Sequence, residues 1–208
     1  MPLLIILDLT AKIKCETQRS YGVLRKAVLF MKFEKIKSLV TAALFAAIIC
    51  VATAVVKIPS PATGGYFNLG DCFVLLAGFF LGPVYGGLAA GIGSALTDIL
   101  GGYMQYAPAT FVIKALMAVA AYFIYKALKN AFKGKFAFVA AIIAGIVAEA
   151  IMVLGYFGYA AVVLGYGLGA AGSIFANVMQ GVVGVAAATA VSVVIEKSKT
   201  LSSFFKRG

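Results

Sequence analysis

Asn68, Asp71, Asp98, Lys114, Glu149, Asn177 and Gln180 interrupt segments otherwise built from aliphatic, aromatic and small residues. A charged group inside a hydrocarbon-length segment costs several kcal/mol, so its presence points to ligand binding, proton carriage or interhelical pairing. The carboxyls and the lysine suit charge-assisted hydrogen bonds, and each amide offers donors and an acceptor. Catalysis is a poorer match. Histidine is absent, which removes the commonest general base and metal ligand. No serine lies beside a plausible catalytic base or in a nucleophile elbow, and FKGKF at 132–136 lacks the spacing and hydroxyl of a phosphate-binding loop. Cys15, Cys50 and Cys72 have neither metal nor pairing spacing. These residues predict a binding protein with no catalytic residue, no metal site and no cofactor.

Composition indicates what must position them. The 208 residues are 63% hydrophobic and 12% charged, with a mean hydropathy of +1.04; a soluble domain is roughly a quarter charged. The apolar runs approach the roughly 17–25 residues of a spanning helix and lack the alternation of a barrel strand. The predicted fold class is all-α, an integral membrane bundle of six transmembrane helices over about 38–56, 67–81, 84–100, 107–125, 136–155 and 172–195. The short second and third spans, joined at Gly82 and Pro83, suit a hairpin buried among the others. Lys and Arg in short loops stay cytoplasmic. Lys12, Lys14, Arg19, Arg25, Lys26, Lys32, Lys35 and Lys37 precede the first span. Lys126, Lys129, Lys133 and Lys135 separate the fourth and fifth, and Lys197, Lys199, Lys206 and Arg207 follow the sixth. Six spans bring all of these to one side and place both termini in the cytoplasm, with Lys57 and Lys114 as exceptions. The net charge of +11 then reflects membrane orientation, with lipid as the surroundings and no nucleic-acid partner. Residues 1–30 are predicted to be an N-terminal extension before a 31–208 membrane domain. Met31 reads like a start of its own, and the apolar residues 1–9 are too short to span and lack a small-residue cleavage site.

This topology puts 57–66, 101–106 and 156–171 outside. At about 1.5 Å per residue from the outer helix ends, Asp98 lies roughly 3–5 Å deep, Asn177 roughly 8 Å, Lys114 and Glu149 roughly 9–10 Å, and Gln180 roughly 12 Å. Agreement in depth among separate helices predicts a polar cavity open to the outside. The competing reading is interhelical glue, with Lys114 paired to Glu149 or Asp98. Asn68 and Asp71, at the start of span two, either cap that helix or hold a ligand. Tyr66, Phe67, Tyr103, Tyr106, Tyr156, Phe157, Tyr159 and Tyr166 gather at the outer ends, where rings stack on a flat heteroaromatic ligand or form an interfacial belt. Ala42, Ala43, Ala46 and Ala47 make a smooth stripe in span one, either an internal seam or a docking face. Gly82/Gly86 and Gly87/Gly91 allow close helix approach in span three.

The runs YFNLGD (66–71), LGPVYGGLAAGIGSALTDILGGYMQYAPATFVIK (81–114) and NVMQGVVG (177–184) resemble the substrate-binding S component of an energy-coupling factor (ECF) vitamin transporter, in the group that includes riboflavin-type S components. The resemblance covers most of 31–196. It implies a six-helix cell-membrane protein that takes a vitamin or precursor (riboflavin, a pyridoxine-type vitamin or a pyrimidine) from outside. It also implies a transmembrane T component and two cytoplasmic ATPases as partners. Ala42, Ala43, Ala46 and Ala47 match the family's T-component docking motif, and Asn68, Asp71, Asp98, Lys114, Asn177 and Gln180 match its polar positions. The full set predicted to bind substrate adds Tyr103, Tyr106 and Glu149. Two other functions are weighed: a self-sufficient ion-coupled transporter with Asp98 or Glu149 as proton carrier, and an intramembrane enzyme, which lacks a nucleophile, a metal set and histidine. No repeat relates spans one to three with four to six, which counts against an inverted-repeat transporter.

Overall fold

The computed structural model describes Arg25 and residues 31–55, 57–60 and 65–205. The remainder of the expected extension 1–30, residues 61–64, the side chain of Phe67, and Lys206 and Arg207 lie outside the described residues. Packing divides the chain into Met1–Lys37 and Ser38–Gly208. In the first unit, residues 31–37 are helical and mostly exposed; the bundle that follows is the second.

Apolar runs rich in Ala, Val and Leu form α1 (Met31–Val55), α2 (Asp71–Leu81), α3 (Pro83–Leu100), α4 (Ala107–Ala131), α5 (Ala137–Gly158), α6 (Ile174–Lys197) and a short α7 (Lys199–Phe205). Pro83 and Pro108 fall in the first turns of α3 and α4, where a missing N–H costs nothing. Among the described residues, four helical stretches are long and apolar enough to cross a membrane: Met31–Val55, Ala107–Ala131, Ala137–Val163 and Gly167–Lys197. The 11 residues of α2 are not. That helix is instead the centre of the bundle, against α3, α4 and α6, with Val74, Leu75, Leu76 and Ala77 almost wholly buried.

Close backbone approach holds the helices together. A Cβ on Gly78 would lie 2.5 Å from the Ala118 carbonyl oxygen, one on Gly86 2.5 Å from that of Ala77, and one on Gly93 2.5 Å from that of Ala46. Gly93→Val is therefore expected to cost about 1–3 kcal/mol through overpacking, read as a lowered melting temperature in detergent. The α1 stripe is consequently split. Ala42 is buried and Ala46 packs its backbone on α3, whereas Ala43 and Ala47 are exposed.

Two features depart from the predicted spans. Residues predicted as an outer segment and the start of span two form an antiparallel hairpin, β1 (Lys57–Ser60) and β2 (Gly65–Asn68), with Lys57 opposite Asn68. The outer segment 156–171 is largely helical: α5 runs into a π-helical turn at Tyr159–Val163, and a 3-10 helix at Gly167–Ser173 leads into α6. The break between them falls at Gly165 and Gly167, both in the left-handed region (φ 76° and 52°) that glycine adopts freely.

Candidate functional site

Strand periodicity puts Lys57, Tyr66 and Asn68 on one face of the hairpin, and that face meets the helices. Asn68 N–H donates to Gln180 Oε1 on α6 at 2.6 Å, and the Tyr66 hydroxyl donates to Asp98 Oδ1 on α3 at 2.6 Å. Hairpin and helices thereby enclose a polar cavity of about 40 Å³, room for only a few waters. Tyr66 and Asn68 line it from the hairpin, Ser94 and Asp98 from α3, and Tyr106, Thr110 and Lys114 from α4 and its N-terminal edge. Tyr156, Ser173, Asn177 and Gln180 complete the opposite wall, and Thr53 of α1 contributes at the side.

Beneath the cavity, the Lys114 ammonium is paired with Asp71 Oδ1, both side chains almost fully buried. Gln180 Nε2 donates to Asp71 Oδ2, so one carboxylate ties α2 to α4 and α6. This corrects two expectations. Lys114 pairs with Asp71 and not with Glu149 or Asp98, and Asp71 does not cap α2, whose N-terminus has no side-chain cap. A carboxylate this deeply buried requires a full positive charge, and Lys114 is the ammonium that reaches it. Asn68 performs the local task instead, its Oδ1 accepting from Gly70 N–H at 2.8 Å. Gly70 is required there, because a Cβ would lie 2.0 Å from Thr53 Oγ1.

Aromatic rings form the mouth. Tyr66 packs on Tyr103 with ring centres 4.6 Å apart, and Lys57 Nζ lies 4.8 Å from the Tyr66 ring and 5.7 Å from the Tyr103 ring, within cation–π range. Burial, reinforced by the Asp98 charge, raises the Tyr66 phenol above its ordinary pKa, so the group remains a donor to Asp98. Deeper in, Tyr106 lies 6.4 Å from Tyr156 and 6.0 Å from Tyr159, and the Tyr156 hydroxyl donates to Thr110 Oγ1 at 2.9 Å. Tyr166 is exposed.

Two lining atoms lack partners: Ser94 Oγ and Asp98 Oδ2 are buried with no hydrogen bond among the described residues. Native proteins rarely leave such atoms unmatched without a reason, and here both line the one cavity.

Six of the predicted site residues (Asn68, Asp98, Tyr106, Lys114, Asn177 and Gln180) thus line one cavity. Asp71 stands one layer below, and Tyr103 braces Tyr66 from outside. Glu149 is not among the lining residues; it packs on Gly181 and Gly184 next to Asp71, near the middle of the Ala137–Val163 helical stretch. Thr53, Ser94, Thr110 and Ser173 were not predicted. Ser94 precedes Asp98, and Thr110 precedes Lys114, by one turn on the same helix face, a spacing that would have found both. Among the described residues, no group of three or more Cys, Asp or Glu is placed to hold a metal ion.

Three comparisons bear on this arrangement. A family model described as "ECF-type riboflavin transporter, S component" matches residues 33–197. A Pyrococcus woesei protein described as uncharacterized is 38% identical over 137 residues, 66% of this chain and 86% of that one. Among solved structures, the S component of a bacterial ECF transporter matches with a TM-score of 0.55 and 26% identity, covering 83% of this chain and 99% of that chain. The S-component for biotin from an ECF-type ABC transporter shares the fold at TM-score 0.55 and 18% identity, over 82% and 96% of the two chains.

Proposed function

We infer the function of this chain from its family: it belongs to the ECF-type riboflavin transporter S components. It is a membrane-integral component of a vitamin-uptake system, and its family is one of transport proteins, not an enzyme class. The finer reading is that the cavity takes a small heterocyclic vitamin or precursor from outside, with riboflavin the first candidate and pyridoxine-type and pyrimidine ligands the others. The pair of unmatched buried atoms, Asp98 Oδ2 and Ser94 Oγ, carries this reading. A ring N–H or a hydroxyl of the ligand satisfies the carboxylate, Ser94 and Asn177 complete the polar edge, and Tyr106 and Tyr156 provide ring surfaces. Asn68, Lys114 and Gln180 bound the lower side, with Asp71 holding Lys114 and Gln180 in place and Glu149 adding its carboxyl beside Asp71. Tyr103 supports the mouth.

Ligand pockets of roughly 300–1,000 Å³ are usual, so the 40 Å³ cavity is a closed form. Admission then requires the Tyr66–Asp98 bond to part and the hairpin to lift. In this reading α1 to α6 cross the membrane with both termini cytoplasmic, the hairpin faces outside, and residues 1–30 precede the membrane domain as an extension. Delivery proceeds through a T component and two ATPases, with Ala43 and Ala47 presenting the docking surface and Ala42 and Ala46 setting it close against α3.

Mass spectrometry of small molecules released by denaturing gently purified protein tests the ligand assignment, and a stoichiometric vitamin is the expected result. Uptake into liposomes is expected to require ATP and the partner subunits; uptake by this chain alone under a pH gradient would overturn the coupling.

A further inference from the structure

Glu149 stands outside the lining of the outer cavity and is 6% exposed. Among the described residues, neither of its carboxyl oxygens is reached by a hydrogen-bond donor. Its surroundings explain why. Helix α6 meets it with Gly181 and Gly184, which carry no side-chain donor: a Cβ on Gly181 would lie 3.2 Å from Glu149 Oε2, and one on Gly184 3.2 Å from Oε1. The same point on Gly184 is 3.0 Å from Asp71 Cβ, so the Glu149 carboxyl is held against Asp71 of α2. Lys114 of α4 supplies the ammonium near the two acids, and it is taken by Asp71 together with the Gln180 amide. Tyr156, two turns further along α5, gives its hydroxyl to Thr110. What faces Glu149 is therefore a second carboxyl, within hydrogen-bond reach of its own.

Two ionised carboxylates have only acceptors to offer each other, and they repel. With one ammonium between them they would also leave a net negative charge buried in the bundle, which is costly. A single proton removes both difficulties, because it neutralises one acid and makes it a donor to the other. The hydrogen bonds decide where that proton sits. Charge on Asp71 is stabilised by the Lys114 ammonium and the Gln180 amide, whereas charge on Glu149 has no donor to stabilise it. We propose that Glu149 is a neutral carboxylic acid that donates its O–H to the Asp71 carboxylate, so that Glu149, Asp71, Lys114 and Gln180 form one charge-balanced unit beneath the cavity. Glu149 is then a positioning residue. It acts through Asp71 on the ammonium and the amide that line the cavity. The proposal concerns the chain's own groups and does not rest on the vitamin reading.

The test is infrared spectroscopy of the full chain in a maltoside detergent, which has no carbonyl of its own, near neutral pH, where exposed carboxyls with pKa values of about 4 are ionised. A carbonyl stretch of a protonated carboxyl, separate from the carboxylate bands, is expected. Glu149→Gln keeps the size, the neutrality and a donor, so it is expected to abolish that band with little change in melting temperature. Glu149→Leu has no donor for Asp71 and is expected to lower the melting temperature. Asp98→Asn alters the other buried carboxyl with an unmatched oxygen and is expected to leave the band in place. If neither Glu149 variant folds, heavy-carbon labelling of the glutamate carboxyls decides: the band must move with the label, and a band that stays belongs to an aspartate. Absence of a protonated-carboxyl band, a band that survives Glu149→Gln or ignores the label, or a Glu149→Gln protein that is no more stable than Glu149→Leu overturns the proposal.

Discussion

Lys114→Met is expected to destabilise the protein by about 3–5 kcal/mol, the usual cost of breaking a buried ion pair from one side. The reason lies in what remains. Asp71 is 1% exposed, and without the ammonium it retains the Gln180 amide as a donor but no positive charge, while Glu149 stands beside it. The expected readout is a large drop in melting temperature in detergent, together with loss of binding of the vitamin identified by mass spectrometry. Asp71→Leu combined with Lys114→Met separates the two effects. Replacing both partners with apolar groups of similar size removes the uncompensated charge, so stability should return to within about 1–2 kcal/mol of wild type, while binding should stay lost because Lys114 is also a wall of the cavity. A double variant that binds normally would reduce Lys114 to an interhelical bolt.

This pairing marks the limit of what the sequence discloses. Polar residues at similar depth in separate apolar runs were enough to anticipate a shared cavity, because a bilayer penalises each of them and leaves few places to put them. Which of them touch was not legible, since pairing depends on the rotation of each helix about its axis. That rotation is fixed by backbone contacts such as Gly86 on Ala77 and Gly93 on Ala46, which join residues distant in sequence. The predicted end of span five near 155 fell short of the helix itself, because α5 does not stop at the glycines near 155–158; the π-helical turn extends the helical stretch to Val163. The hairpin was missed because KIPS and GYFN are too short and too rich in Pro and Gly to register as strands. It forms because Tyr66 and Asn68 find partners on α3 and α6. The alanine stripe had two legible uses, seam and docking face, and packing divides its residues: Ala42 is buried and Ala46 sits against α3, while Ala43 and Ala47 are exposed.

Asp98 supports the sharpest test of the cavity as a ligand site. One of its oxygens accepts from Tyr66 and the other has no partner, so a ligand donor has a ready acceptor. Asp98→Ala is expected to weaken vitamin binding about tenfold to a hundredfold, the value of one hydrogen bond to a charged acceptor, measured by calorimetry on the purified protein. Asp98→Asn is the more telling change. It preserves size and one acceptor, but its amide can turn two donors toward a ligand N–H that requires an acceptor, so affinity should fall at least as far as in the alanine variant although the fold is undisturbed. A merely structural Asp98 predicts the reverse order, with asparagine retaining most of the affinity and alanine losing it. Tyr66→Phe distinguishes closure from contact. Removing the phenol hydroxyl deletes the bond that shuts the cavity, so association should quicken by severalfold, and dissociation should quicken with it if the same bond re-forms over the bound ligand. A variant whose rates match wild type in both directions would show that the Tyr66–Asp98 bond does not govern entry.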